Sequence, residues 1–120
     1  MGRGLYIQVC GYECYLKEVE EEARKLRNKE YIEGFLRAAA KECNTQLLEI
    51  YSYQFKDGGK GMTSFAVIGE SHIHISTWPE KHSFSVGIET CGKKADITKL
   101  EGVIREFFEV ERIRQLYRRV

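Results

Sequence analysis

The stretch TQLLEIYSYQFKDGGKGMTSFAVIGESHIHISTWPEKHSFSVGIET, residues 45–90, decides the fold. It contains four runs rich in β-branched, aromatic and other apolar residues, separated by short turn sequences, at 45–55, 63–68, 72–78 and 84–90. Turns such as DGGKG (57–61) and Gly69-Glu70 join antiparallel neighbours, because a parallel pair needs a long crossover. Pro79 ends the third run, since it has no N–H to extend a strand ladder. The stretch therefore predicts four consecutive antiparallel strands.

The flanking segments add helices and two further strands. Alternating apolar residues from Leu5 to Val9 predict a first strand that stops at Gly11. Helix formers then run from 17 to 43, with possible weak points at Asn28 and Gly34. Thr98 and Glu101 fit a capping box for a helix with an apolar stripe to Phe108, and 112–117 predicts a last strand. The order favours an α+β fold: an antiparallel β-sheet with two helices packed on one face.

Length and composition limit the classes of protein. The 120 residues fit a single domain, 1–120, and a formal net charge of +1 gives no global field for nucleic acid or an anionic membrane. No apolar run is long enough to cross a bilayer or to act as a signal peptide, so the cytoplasm is the expected location. In that compartment the four cysteines are expected to be thiols: Cys10, Cys14, Cys43 and Cys91.

The most informative motif is GESHIHISTWPE, residues 69–80, followed by Cys91 in ETCG. If Trp78 pairs with Phe84 in a straight hairpin, partner numbers sum to 162, and Ser71 lies opposite Cys91. Their β-carbons are then about 4.5–5.5 Å apart on one face. A hydroxyl and a thiol would share one site, provided that the register does not slip by one residue.

The same hairpin predicts a partner. This register puts Ile73 and Ile75 on one face and an apolar set on the other, namely Trp78, Phe84, Val86 and Ile88. A sheet with two apolar faces needs two covering layers, and the helices supply only one. We expect a second copy of the chain to supply the other, as a homodimer.

The GESHI, TWPE and TCG blocks together resemble the short prokaryotic S-adenosylmethionine decarboxylases, over nearly the whole chain in element order. The resemblance implies a proenzyme that cleaves itself between Glu70 and Ser71, after which Ser71 becomes a pyruvoyl group, so no separate cofactor is needed. This ketone would condense with the amine of S-adenosylmethionine and act as an electron sink. The product would feed polyamine and spermidine synthesis. Cys91 resembles the proton donor to the substrate carbon.

Further roles follow from the same resemblance. Glu80 matches a glutamate associated with the ribose hydroxyls, Glu70 would stand beside the substrate at the new C-terminus, and Phe55 is the candidate for stacking on adenine. The family's processing histidine, which reaches across the dimer to give shared active sites, is replaced by Ser76. The serine that steadies the processing intermediate is replaced by Thr63.

Ser71 and Ser76 are five residues apart on one strand, about 16 Å, so residue 76 can serve only a partner's Ser71. His74, one pleat from Ser76 on the same strand face, is an alternative base.

Other functions remain open. Relatives diverted to arginine or ornithine make a pyruvoyl-dependent decarboxylase of a basic amino acid the first alternative. An unprocessed, inactive homologue with a binding role is the second, because of Ser76 and Thr63. A metal site at His72, His74 and His82 is a weaker reading, since no further ligand is placed by spacing.

Overall fold

The computed structural model describes residues 6–120. Within them, six strands and three helices follow one another in the order β1 Gln8–Leu16, α1 Glu20–Leu26, α2 Lys29–Glu42, β2 Leu47–Gln54, β3 Met62–Ile68, β4 Ser71–Trp78, β5 Ser83–Thr90, α3 Leu100–Phe107 and β6 Val110–Arg119. The strands form one sheet in the order β2-β3-β4-β5-β1-β6, and all neighbours are antiparallel. The predicted α+β class, with helices on one face, is confirmed.

The long helix predicted over 17–43 is two helices. The first ends at Leu26, and Asn28 caps the second, because its side-chain oxygen accepts a hydrogen bond from the backbone N–H of Tyr31 at 3.0 Å. The predicted count of two helices is therefore wrong by one. The capping box at Thr98 is also wrong: Asp96 accepts from the Thr98 N–H and caps a short 3₁₀ turn, Ile97–Lys99, ahead of α3.

The first strand does not stop at Gly11. Leu5, where the prediction began, lies outside the described residues, but β1 continues through Gly11 to Leu16 between β5 and β6. Gly11 has a packing role, because a β-carbon there would collide with the ring of Tyr117. One at Gly87, its partner on β5, would lie 2.8 Å from the Tyr117 hydroxyl oxygen. The two glycines thus leave room for the ring of Tyr117, which packs over them on the sheet face opposite the helices.

The register of the β4–β5 hairpin differs from the prediction by one residue. Trp78 pairs with Ser83 rather than Phe84, because a 3₁₀ turn over Pro79–Lys81 and a left-handed His82 (φ 47°) close the connection. Partner numbers therefore sum to 161, and Ser71 lies opposite Thr90.

This shift corrects the predicted faces. Ile73 now pairs with Ile88 and Ile75 with Val86, so these apolar side chains all lie on the helix-covered face and are buried. Phe84 is buried with them and packs edge-on against Phe35 of α2.

The opposite face of the sheet is aromatic rather than aliphatic. A cross-strand row runs over it through paired residues of all six strands: Tyr51, Phe65, His74, Gly87, Gly11 and Tyr117. Tyr51, Phe65 and Tyr117 are 60%, 39% and 45% exposed. The apolar surface on which the predicted partner depends is thus present, but it is made of different residues.

Glu22 of α1 provides a test of how the helices are held. Its buried carboxylate accepts hydrogen bonds from Lys25 Nζ at 2.7 Å and from the Glu109 N–H at 2.9 Å, which ties α1 to the start of β6. Glu22→Ala leaves both donors without their acceptor, so we expect a loss of about 2–4 kcal/mol of unfolding free energy in urea titrations. Glu20→Ala, which removes a solvent-exposed pair with Arg27, should cost less than about 1 kcal/mol. Equal losses would contradict this role of Glu22.

Candidate active site

The turn between β3 and β4 holds its backbone in an unusual conformation. Gly69 donates its N–H to the Gln46 carbonyl at 2.7 Å, and the next residue, Glu70, has a φ of 70°. A residue with a side chain rarely adopts this left-handed conformation, which costs on the order of 1 kcal/mol or more. The strained position immediately precedes the Glu70–Ser71 peptide bond, the predicted cleavage site.

The Glu70 carbonyl oxygen accepts a hydrogen bond from the Cys91 backbone N–H, with 3.3 Å between nitrogen and oxygen. The Cys91 thiol sulfur lies 3.7 Å from the same oxygen. A backbone N–H placed in this way polarises a carbonyl and stabilises the oxyanion that forms when a nucleophile attacks its carbon. Ser71, which carries a hydroxyl, is the residue joined to this carbonyl. The strained turn and the Cys91 N–H therefore act on the peptide bond that Ser71 would attack.

The Cys91 thiol also donates to the side chain of Glu70, with 3.4 Å between Sγ and Oε2. This hydrogen bond to a carboxylate raises the pKa of the Cys91 thiol above its ordinary value. The thiol thus keeps its proton at neutral pH, as a proton donor must. Glu70 and Cys91 line one cavity of about 450 Å³.

Ser71 and Cys91 are not cross-strand partners, so the predicted pairing is corrected. Cys91 follows Thr90, the partner of Ser71, and lies against Glu70 instead. The thiol thereby contacts the residue before the serine, at the carbonyl that the serine would attack. We call Glu70, Ser71 and Cys91 the turn cluster.

His72 also contacts the site, which the sequence did not predict. Its Nδ1 lies 3.1 Å from the Ser71 hydroxyl oxygen, and its ring stacks on Phe65, with centroids 4.8 Å apart and planes 16° apart. The signal in the sequence was its position next to the serine, but side chains of neighbouring strand residues ordinarily point to opposite faces. Only the departure from regular strand geometry at the turn brings the two together.

The remaining predicted residues meet at the opposite end of β4. Thr63 and Ser76 are cross-strand partners with hydroxyl oxygens 3.1 Å apart. Both line a cavity of about 480 Å³ together with Phe55 and Glu80. We call this the loop cavity, after the 57–61 loop that borders it. A β-carbon at Gly59 would lie 2.8 Å from the Glu80 backbone nitrogen, so the loop packs directly on Glu80.

The turn cluster and the loop cavity do not meet within one chain. Ser71 and Ser76 stand at opposite ends of the same strand, separated by about 16 Å at the rise of an extended chain. The structure therefore brings the predicted site residues together in two groups, not in one.

The other cysteines do not join either group. Cys10, Cys14 and Cys43 are buried, and burial raises the pKa of both Cys14 and Cys43 to about 12. Such thiols are inert nucleophiles. Within residues 6–120, no three His, Cys, Asp or Glu side chains are grouped as metal ligands, and no helix is both long and apolar enough to span a membrane. A further cavity of about 660 Å³, which Tyr6 and Arg119 line, contains none of the predicted site residues.

The state of Cys91 can be tested by alkylation. In a Ser71→Ala chain, which keeps the 70–71 bond intact, we expect iodoacetamide to modify Cys91 slowly at pH 7. The reaction should accelerate as the pH rises above the ordinary range of a thiol, because only the thiolate reacts. Adding Glu70→Gln removes the carboxylate and should lower the pKa, so alkylation at pH 7 should become faster by peptide mass spectrometry. An unchanged rate would show that Glu70 does not hold the proton on Cys91.

Comparisons with known proteins point to one family. The family model described as "S-adenosylmethionine decarboxylase" matches residues 13–119. The S-adenosylmethionine decarboxylase proenzyme of Pyrobaculum aerophilum is 44% identical over 75 residues, which are 62% of this chain and 59% of the relative. That of Pyrobaculum neutrophilum is 38% identical over 80% of this chain and 77% of the relative. The chain thus spans between about three fifths and three quarters of these relatives.

Two further comparisons are with a relative named as an arginine decarboxylase and with a solved structure. The arginine decarboxylase proenzyme of Ignicoccus hospitalis is 34% identical over 72% of this chain and 60% of the relative. The crystal structure of the adenosylmethionine decarboxylase from Aquifex aeolicus superimposes with a TM-score of 0.78 at 26% identity, covering 92% of this chain and 87% of that one. The family model matches most of the chain, and the fold agrees with that of a solved adenosylmethionine decarboxylase, so the chain belongs to the S-adenosylmethionine decarboxylase family.

Proposed function

We propose that this chain is a self-processing decarboxylase of S-adenosylmethionine that makes its pyruvoyl group from Ser71, in polyamine and spermidine biosynthesis. The observation that carries the proposal is the Glu70 carbonyl, which accepts a hydrogen bond from the Cys91 N–H at 3.3 Å and is joined directly to Ser71. Family membership supports the reaction class.

The turn cluster fits the chemistry of maturation. Ser71 Oγ attacks the Glu70 carbonyl carbon, the C–N bond breaks with a proton passing to the Ser71 nitrogen, and an ester replaces the amide. Loss of the Ser71 Cα proton then expels the Glu70 carboxylate and leaves dehydroalanine. Uptake of one water and loss of ammonia give the ketone. The net change consumes one water and yields Glu70 as a new C-terminus and a chain that begins with pyruvoyl.

The same residues then serve the substrate. The pyruvoyl carbonyl supplies the electron sink for decarboxylation. Cys91, held in its thiol form beside Glu70, returns a proton to the substrate carbon. In the loop cavity, Glu80 accepts hydrogen bonds from the ribose hydroxyls, and the half-exposed ring of Phe55 stacks on adenine.

A homodimer with shared active sites would join the two groups. Each turn cluster would face the loop cavity of the partner, because Thr63 and Ser76 are about 16 Å from Ser71 of their own chain. The exposed aromatic row of Tyr51, Phe65 and Tyr117 supports association through the sheet face that the helices leave open.

The lining of the loop cavity also supports a second candidate, an arginine decarboxylase. Asp57 and Glu80 place two carboxylates there, which suits a guanidinium, and the Ignicoccus hospitalis relative has that name. Release of labelled carbon dioxide from carboxyl-labelled S-adenosylmethionine, arginine and ornithine separates the candidates. We expect S-adenosylmethionine to be preferred, because Phe55 and Trp78 offer aromatic surface for adenine.

The deciding experiment is the intact mass of the purified protein. We expect one fragment that ends at Glu70 and a second that begins with pyruvoyl at position 71, whereas Ser71→Ala should remain whole. Sodium borohydride should add two hydrogens to the ketone of the second fragment. A chain that stays uncut after long incubation and releases no carbon dioxide from any of the three substrates would instead indicate an inactive homologue with a binding role.

A further inference from the structure

Among residues 6–120, His72 is the histidine whose imidazole contacts a reacting atom of the proposed self-cleavage. Its Nδ1 lies 3.1 Å from Ser71 Oγ, a hydrogen-bond distance. A serine hydroxyl is a weak nucleophile until a neighbouring base removes its proton, and imidazole is the side chain best suited to that task near neutral pH. Resting on the proposed function, we infer that His72 is the base that takes the Ser71 hydroxyl proton during formation of the ester.

Packing holds the imidazole in place. The ring of Phe65 on β3 lies nearly parallel to that of His72, with 4.8 Å between centroids. Stacking of this kind restricts rotation of the imidazole and keeps Nδ1 directed at the hydroxyl oxygen. The role requires the tautomer with its proton on Nε2, since Nδ1 must then be the acceptor.

Two titratable residues are neighbours of His72 on the sheet. Glu89, which is exposed, is its cross-strand partner on β5. The neighbouring ring of His74 lies 5.7 Å away, and burial lowers the pKa of His74. His74 is therefore neutral at pH 7 and places no competing positive charge beside His72.

Neither His74 nor Ser76 reaches the Ser71 hydroxyl within one chain. His74 is three residues along the strand from Ser71, about 10 Å, and Ser76 is about 16 Å away. The inference therefore divides maturation into two steps. His72 of the same chain promotes ester formation. A different group removes the Ser71 Cα proton in the later step.

The step balances without any further reactant. The proton of Ser71 Oγ moves to His72 Nδ1 as the Oγ–carbon bond forms, and negative charge develops on the Glu70 oxygen that faces Cys91. As the oxyanion collapses, the C–N bond breaks and His72 returns its proton to the departing nitrogen of Ser71. His72 ends in its starting form.

The ester can be measured separately from the pyruvoyl group. Hydroxylamine cleaves an ester but not an ordinary peptide bond, and it would release a Glu70 hydroxamate fragment and a fragment that begins with an unmodified serine. Full-length chains made by cell-free synthesis would be sampled over time with hydroxylamine, and the fragments weighed. His72→Phe keeps a ring for Phe65 but has no nitrogen, and His74→Phe is the matched control on the same face.

We expect His72→Phe to slow fragment release by about 100-fold or more, the range of a lost general base, and His74→Phe to change it by less than about threefold. Free imidazole should accelerate release from His72→Ala, which a purely structural role would not allow. Circular dichroism would check the fold of each variant.

Three results would overturn the inference. These are a wild-type rate in both His72 variants, failure of imidazole to accelerate His72→Ala, and no hydroxylamine-sensitive bond in the wild type. If the ester is trapped in a His72-dependent way while no pyruvoyl fragment or carbon dioxide ever appears, the proposed function fails and the role of His72 stands.

Discussion

Co-expression of two inactive chains, one with Ser71→Ala and one with Glu80→Arg, is expected to restore about a quarter of wild-type decarboxylase activity. The first chain lacks a working turn cluster but keeps its loop cavity, and the second has the reverse defect. If each site combines the turn cluster of one chain with the loop cavity of the other, half of the random dimers are mixed and each has one complete site of two. Labelled carbon dioxide from S-adenosylmethionine measures the result.

The matched control places both lesions in the same cluster. Ser71→Ala co-expressed with Cys91→Ala should stay near the activity of the separate chains, because no pairing then assembles an intact turn cluster. Activity that does not exceed the sum of the separate chains in the first mixture would show that the 16 Å separation is closed within one chain and would remove the shared site.

Cys91→Ala is expected to separate decarboxylation from maturation. Loss of the thiol should lower kcat for carbon dioxide release by about 100- to 10,000-fold, the usual range for a missing general acid. Self-cleavage should slow by less than about tenfold, because an alanine keeps the backbone N–H that lies 3.3 Å from the Glu70 carbonyl oxygen. Intact mass follows cleavage, and labelled carbon dioxide follows turnover in the fraction that has been cut.

Cys91→Ser provides the comparison for this experiment. A serine hydroxyl donates hydrogen bonds but gives up its proton far less readily than a thiol, so turnover should remain low while cleavage stays close to wild type. If both substitutions abolish cleavage and turnover together, Cys91 is required to build the turn and the assignment as proton donor is wrong.

The sequence predicted the class of fold because its strongest signals are local. Short turns at 57–61 and Gly69-Glu70 leave little choice of pairing between consecutive strands. The register of the next hairpin depends instead on how 79–82 closes. Its 3₁₀ turn and left-handed His82 shift the pairing by one residue and move Phe84 to the helix face. A prediction that assumes a straight hairpin cannot contain that shift.

The sequence predicted which residues form the site but not how they contact one another. The motif indicated Glu70, Ser71 and Cys91, and in the structure all three lie at one turn. That Cys91 lies against Glu70 rather than opposite Ser71 follows from the register. The contact between His72 and Ser71 could not be predicted from the sequence, because side chains of neighbouring strand residues ordinarily point to opposite faces. Gly11 was misread as a stop, since its role appears only when Tyr117, distant in sequence, lies over it.

The two edge strands of the sheet, β6 and β2, differ in how strongly they resist pairing with another copy of the chain. β6 carries four arginines, at 112, 114, 118 and 119, and like charges repel a second copy that tries to add alongside it. β2, at the other margin, has one charged residue, Glu49, among exposed Leu48, Tyr51 and Tyr53. Side-by-side stacking in concentrated solution should therefore start at β2, and a lysine at Leu48 is the natural place to block it.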